Sequence, residues 1–116
     1  MDEFTTAYIE AALWSSNDEN DVPLDRDHTA EDIAAETKLR MIEDCTEFQK
    51  RHAADITENP TQAGHDFWLT RNGHGAGFWD GDWSEDVGER LTSASKEFGF
   101  FTLYVGDDGL VYGLNG

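Results

Sequence analysis

Apolar residues recur at the spacing of an α-helix in three stretches of the chain, which predicts three helices. The first covers residues 4–14 and follows two acidic residues, whose charge favours a helix N-terminus. The second covers residues 29–56; its first residue is a threonine, and Asp32 stands three positions on, where a capping box places an acidic partner. The third covers residues 85–98 and follows a serine suited to cap it.

Two other stretches combine apolar residues with turn residues, which predicts two β-hairpins. Asn72-Gly73 lies between apolar runs, and both residues tolerate the positive φ that a type I′ turn requires. Strands at residues 100–105 and 110–112 flank a Gly-Asp-Asp-Gly turn. The resulting order is ααββαββ. It predicts one α+β domain over residues 1–116, with an antiparallel sheet of about four strands packed against three helices.

The first predicted hairpin has two different faces, because side chains alternate along a strand. Phe67 lies opposite Phe78 on an apolar face suited to the core. Trp68 lies opposite Gly77 on the other face, which also carries Trp79. Since helices on one side of the sheet leave this second face outside, we expect another chain to cover Trp68 and Trp79.

The charge of the chain is strongly negative, with 25 Asp and Glu against 8 Lys and Arg and a formal net charge of −17. This balance argues against direct binding of nucleic acid or of an anionic membrane surface. Three interpretations remain: a solvated acidic surface, a mimic of nucleic acid that occupies another protein's DNA-binding groove, or attraction of a different basic partner or of cations.

Two predicted helices present acidic faces that would serve as the mimic. These carboxylates lie mostly off the apolar stripe of each helix. They are Glu31, Glu36, Glu43, Asp44 and Glu47 on the second helix and Glu85, Asp86 and Glu89 on the third. Mimicry requires such groups to stand in rows, so their placement in space decides between mimicry and simple solvation.

Cysteine usage and the N-terminus indicate the compartment. Cys45 is the single cysteine, so no intramolecular disulfide forms, and we expect it to be a small core residue. No basic region precedes an apolar run at the N-terminus, and no apolar stretch approaches membrane length. We therefore expect a soluble, cytoplasmic protein.

The tip of the first hairpin carries the most compact polar group. Arg71 lies opposite His74 in the predicted register and could bind an anion or transfer a proton; a charged hairpin tip is the other interpretation. A small metal-dependent or acid/base hydrolase would need His65, Asp66, Arg71 and His74 to converge. The sequence leans against an enzyme, because no motif supplies a nucleophile or a phosphate-binding loop, and the hydrolase is kept as the alternative.

The same register decides the metal question. His65 and Arg71 are six residues apart on one strand, about 20 Å at ~3.3 Å per residue, and His74 lies beside Arg71. The two imidazoles therefore cannot share a metal ion, and no cofactor is expected. If residues 72–77 form an open loop instead, His65 and His74 could converge.

The central string resembles a known group of proteins. The residues are G-H-D-F-W-L-T-R-N-G-H-G-A-G-F-W-D, with A-Y-I-E-A-A-L-W-S-S upstream and L-Y-V-G-D-D-G-L-V-Y-G downstream. The chain resembles small uncharacterised proteins encoded by tailed bacteriophages and prophages, with departures at residues 15–28 and 81–87. The resemblance implies a phage-type accessory protein in the host cytoplasm, without assigned catalytic residues.

Charge, motifs and resemblance together favour a protein-binding or inhibitory module over an enzyme. The expected partner is a basic, nucleic-acid-binding protein or a second copy of the chain. The hydrolase built on the first hairpin is the alternative function.

Overall fold

Four α-helices and one two-stranded antiparallel sheet make up the computed structural model, which describes residues 1–115. The helices are α1 (Glu3–Ser15), α2 (Ala35–Ile56), α3 (Pro60–Arg71) and α4 (Glu85–Glu97), and the strands are β1 (Phe101–Val105) and β2 (Val111–Asn115). Two 3-10 helices, Leu24–Arg26 and Ala30–Asp32, lie between α1 and α2. The predicted α+β class is confirmed. Over the part of the chain described, however, four helices and two strands replace the predicted three helices and four strands.

The first helix, the last helix and the second hairpin lie where the sequence predicts them. Asp2 caps α1 by accepting a hydrogen bond from the Thr5 backbone N–H at 2.8 Å. The turn between β1 and β2 closes with Gly109 at a φ of +83°, a conformation that glycine adopts without steric cost. Tyr104 pairs with Tyr112 across the strands, and their rings stack at 5.8 Å on the outer face.

The second helix begins later than predicted. The capping box of Thr29 and Asp32 forms, but it caps a single 3-10 turn rather than the long helix. The chain then runs extended through Ile33, and the Ala34 N–H donates to the Val111 carbonyl oxygen at 2.8 Å. The backbone of the residues just before α2 pairs with β2 instead of forming helical hydrogen bonds. The long helix α2 therefore starts only after this contact with the sheet.

The predicted hairpin at Asn72-Gly73 is wrong, because the preceding residues form α3. Asn59 caps this helix and Pro60 occupies its first turn, a position that needs no N–H. At the other end the Gly73 N–H donates to Thr70, and the His74 N–H donates to the Leu69 carbonyl, which is the Schellman arrangement. Gly73 has a φ of +70°, so the positive φ that the sequence signals ends a helix instead of turning a hairpin.

Burial explains why the pattern of α3 does not look helical. Residues 66–71 are all buried, so the helix has no polar face to mark its period. Residues 72–84, which include the predicted turn and second strand of the first hairpin, form an irregular segment that returns Phe78 to the core. The Phe78 N–H donates to the Thr70 hydroxyl at 3.2 Å and ties this segment to α3.

The core forms where α1, α2 and α3 meet. α1 packs closely on α3, since a Cβ at Gly64 would overlap the carbonyl oxygen of Phe4. The rings of Phe48 and Phe67 stack with centroids 4.2 Å apart, which joins α2 to α3. Cys45 is buried, as the sequence predicts. Within residues 1–115, no helix combines the length and the apolar character that crossing a bilayer requires.

Candidate functional site

Arg71 lies in the core, although the sequence predicts it at an exposed hairpin tip. Its Nη1 donates to the Tyr8 hydroxyl at 2.9 Å and to the Asp44 carboxylate at 2.8 Å. Its Nε donates to the Gly99 carbonyl at 2.8 Å and its Nη2 to the Phe98 carbonyl at 3.0 Å. One guanidinium thus joins α1, α2, α3 and the turn that leads into β1.

Aromatic rings occupy the remaining surroundings of this guanidinium. Its carbon lies 5.6–5.7 Å from the ring centroids of Phe67, Phe98 and Phe101. A cation among aromatic rings and hydrogen-bond acceptors is well stabilised in a buried position. Arg71 is therefore a buried residue whose guanidinium binds acceptors inside the protein, and its predicted position at an exposed hairpin tip is wrong.

Trp68 is buried as well, with 2% of its surface exposed. Its ring packs edge-on against Tyr8 at 5.3 Å, and its Nε1 donates to the Ser15 hydroxyl at 2.8 Å. The predicted exposed face shared by Trp68 and Trp79 therefore does not exist. Trp68 belongs to the contact between α1 and α3.

His65 and Asp66 form a polar pair on α3. The Asp66 carboxylate is buried and accepts hydrogen bonds from Gln62 Nε2 at 3.0 Å and Trp83 Nε1 at 2.8 Å. His65 Nδ1 lies 3.7 Å from the same carboxylate, beyond hydrogen-bond distance, and it has no partner among residues 1–115. Burial raises the pKa of Asp66, against the opposing effect of the bonds from Trp83 and Gln62.

Replacing Asp66 with asparagine should remove one source of pH dependence from folding. Because the folded-state pKa of Asp66 is raised, the folded protein keeps a proton that the unfolded chain has already lost. The stability of the wild type relative to Asp66→Asn should therefore be highest below the unfolded pKa of about 3.9 and fall as the pH rises through the folded pKa. Urea unfolding of both proteins at a series of pH values measures this difference. A difference that grows with pH would contradict the assignment.

The four residues of the hydrolase alternative do not converge. His65 lies in the first half of α3 and His74 follows its end, so the helical part from His65 to Arg71 alone rises about 9 Å at 1.5 Å per residue. The two histidines line different clefts, and Arg71 lies in the core. Within residues 1–115, no three His, Cys, Asp or Glu side chains are grouped as metal ligands would be.

Of the two tryptophans predicted in the site, Trp79 is the exposed one, with 47% of its surface accessible. Its ring lies over Gly77, where a Cβ would come within 2.6 Å of it, so the glycine makes room for the indole. Beside it a cleft of about 570 Å³ is lined by Trp83, Glu85 and Glu89. A large aromatic ring held at the rim of a cleft is a typical anchor for a partner protein.

Several exposed carboxylates follow this tryptophan in the chain. We define the Trp79 surface by its exposed members, Trp79, Asp80, Asp82, Glu85, Asp86 and Glu89. The helix N-terminus of α4 accounts for the placement of Glu85 and Asp86 but not of the others. Within residues 1–115, three ion pairs join Arg to a carboxylate, namely Arg51–Glu47, Arg71–Asp44 and Arg90–Asp55. The carboxylates of the Trp79 surface thus have no cationic partner in this part of the chain.

The acidic face predicted on α2 is interrupted. Glu36 and Glu43 are exposed, but Asp44 is partly buried against the core arginine, and Glu47 pairs with Arg51 at 2.8 Å. Basic residues share this helix, namely Lys38, Arg40, Lys50 and Arg51. The exposed carboxylates of α2 are therefore interspersed with basic residues, whereas residues 79–89 contain no Lys or Arg. The run D-G-D-W-S-E-D was the sequence signal for this acidic segment.

A cleft of about 630 Å³ along α1 was not anticipated from the sequence. It follows the outer side of α1, with Ile9 and Leu13 at its base and the exposed Trp14 at one end.

Comparison with models of known protein families, with curated proteins and with solved structures finds no match to this chain.

Proposed function

We propose that this protein is a binding module that recognises a basic protein through the Trp79 surface. The observation that carries the proposal is the half-exposed Trp79 among carboxylates that lack a cationic partner within residues 1–115. Aromatic anchors supply much of the binding energy of protein interfaces, and complementary charge steers and selects the partner.

The expected partner is a nucleic-acid-binding protein whose basic groove the module occupies. Glu85 and Glu89 are one helical turn apart on α4, about 6 Å along its axis, and Asp80 and Asp82 extend the charge beyond the helix. A row of carboxylates of this kind competes with phosphates for Lys and Arg side chains. In line with the resemblance to phage proteins, we propose that it acts as an inhibitor in the cytoplasm of a bacterial host.

Self-association is the weaker form of this proposal. Two copies would each bring a formal net charge of −17, and like charges oppose association. The hydrolase alternative is not favoured, since the residues that it requires lie apart and one of them is in the core.

Trp79→Ala should weaken binding to the partner about thirtyfold, the loss expected when an interface anchor contributes ~2 kcal/mol. The unfolding free energy should change by about 1 kcal/mol or less, because the ring is half exposed. The measurement compares proteins captured from a bacterial lysate by wild type and variants at two salt concentrations. The captured partner is then purified, and its affinity is measured.

Trp14→Ala provides the matched control, since Trp14 is also exposed and lies on α1, outside the Trp79 surface. It should retain the partner that Trp79→Ala loses. Equal capture by all three proteins, or capture that salt does not reduce, would rule out the Trp79 surface as the binding site.

A further inference from the structure

The outer edge of β1 carries backbone groups without a partner. The Phe101 N–H points away from β2 and donates to the Asn72 side chain at 2.9 Å. On β2, the Val111 carbonyl and the Gly113 N–H also point away from β1, toward Ala34 and the N-terminal part of α2. Because orientation alternates along an antiparallel pair, these bonds fix which residues of β1 face outward.

Leu103 and Val105 are the residues that this alternation places outward. They follow Phe101 at two and four positions and pair with Gly113 and Val111 across the sheet. Within residues 1–115, no hydrogen bond from another element reaches their N–H or C=O groups. The edge of β2 is covered by Ala34, whereas β1 presents an open strand edge, which is a template for a further strand.

Clefts run beside this open edge. One, of about 290 Å³, is lined by Ser16, Asn17 and Leu103, and the next, of about 470 Å³, by Asn17 and Val105. Neither is lined by a residue of β2, so both lie on the outer side of β1, and Asn17 is common to both. The space between β1 and the segment after α1 therefore follows the strand along its length.

The lining of this space selects the charge of the occupant. Asp18, Glu19 and Asp107 line the larger cleft, and no Lys or Arg of the described residues lines either one. The histidines beside them are His28, whose Nδ1 lies 3.2 Å from the Leu24 carbonyl, and His74. A second copy of this acidic chain would bring like charge to the edge, whereas a basic segment complements it.

We propose that the outer edge of β1 binds an extended, basic peptide segment of a partner protein as a third strand of the sheet. The N–H and C=O groups of Leu103 and Val105 would pair with the peptide backbone, and the carboxylates at the Asp107 end would contact its Lys or Arg side chains. This third-strand site shares no residue with the Trp79 surface and does not depend on it.

A labelled peptide of about eight residues that alternates Lys and Val, long enough to cover one edge strand, is the probe. Fluorescence anisotropy should show binding, and amide exchange should show new protection at Leu103 and Val105. A matched peptide with proline in place of every valine keeps the charge but loses the backbone N–H donor at every second residue. It should bind at least about tenfold more weakly.

Charge variants of the protein separate this site from the Trp79 surface. Glu19→Lys with Asp107→Lys should weaken binding of the Lys-Val peptide about tenfold. The pair Glu85→Lys and Glu89→Lys changes the net charge by the same amount. It should change the affinity for the Lys-Val peptide by no more than about twofold, because salt screens the effect of distant charges. The variant with this second pair should instead no longer bind the partner of the Trp79 surface. Failure of one proposal can therefore be distinguished from failure of the other.

Three results would overturn the third-strand site. They are equal binding of the valine and proline peptides, equal weakening by both pairs of charge variants, and protection of Leu103 and Val105 without peptide in a protein that sediments as a dimer. The last result would assign the edge to a second copy of the chain.

Discussion

Arg71→Met should lower the free energy of unfolding by about 3–5 kcal/mol, the usual cost of removing one partner from a buried ion pair. The substitution keeps much of the side-chain volume, so the loss comes from the groups left behind. These are the Asp44 carboxylate, the Tyr8 hydroxyl and two carbonyls in the turn between α4 and β1. Each would remain in or near the core without its donor. Urea unfolding followed by circular dichroism measures the effect.

Arg51→Met is the matched control for this prediction. Arg51 is exposed and pairs with Glu47 one turn away on α2, an arrangement worth about 0.3–0.5 kcal/mol. The two substitutions remove the same charge, and only one of them removes it from the core. A loss below about 1 kcal/mol for Arg71→Met would show that its hydrogen bonds do not hold the helices together.

Trp68→Ala should destabilise the fold by about 3–5 kcal/mol, as truncation of a core tryptophan usually does. The ring fills the contact between α1 and α3, touches Tyr8 and Phe101, and holds the Ser15 hydroxyl at the end of α1. Truncation leaves a cavity among side chains fixed by two helices and a strand, so little relaxation is available. Thermal or urea unfolding gives the magnitude.

The comparison with Trp79→Ala makes this result specific. Trp79 is 47% exposed and Trp68 is 2% exposed, so the same chemical change should strongly destabilise one protein and leave the stability of the other nearly unchanged. Binding should respond in the opposite way, with Trp79→Ala losing the partner and folded Trp68→Ala keeping it. Loss of binding by Trp68→Ala under conditions where it remains folded would restore the interface role predicted from the sequence.

The central string of the sequence shows how one pattern of residues can be compatible with two different structures. Asn72-Gly73 signals positive φ, and that conformation serves a type I′ turn and a helix C-terminus equally well. Alternation of Phe67, Leu69 and Arg71 with other residues is compatible with a strand, and every one of these residues is buried. A helix buried on all sides loses the polar face that would have revealed it.

Once α3 is a helix, the roles of its side chains change together. The alternation of side chains along a predicted strand placed Trp68 on the outer face of the sheet and Arg71 at a turn. A helix between α1, α2 and α4 instead directs both side chains into the core. Trp79 lies after α3, in the irregular segment, so the exposure predicted for it from the sequence is also observed in the structure. The open edge of β1 was invisible in the sequence, because it depends on which neighbours lie beside the strand.

The sequence by itself determined α1, α4, the second hairpin, the α+β class and the acidic charge. In α4 and the second hairpin one face meets the core and the other meets water, and α1 begins at an acidic cap, so the signal is local. Only the tertiary structure decided that α3 is a central helix, that Arg71 is a core ion-pair residue, and that Trp79 rather than Trp68 is exposed. Those outcomes depend on burial by residues distant in the chain, which a pattern of neighbouring residues does not record.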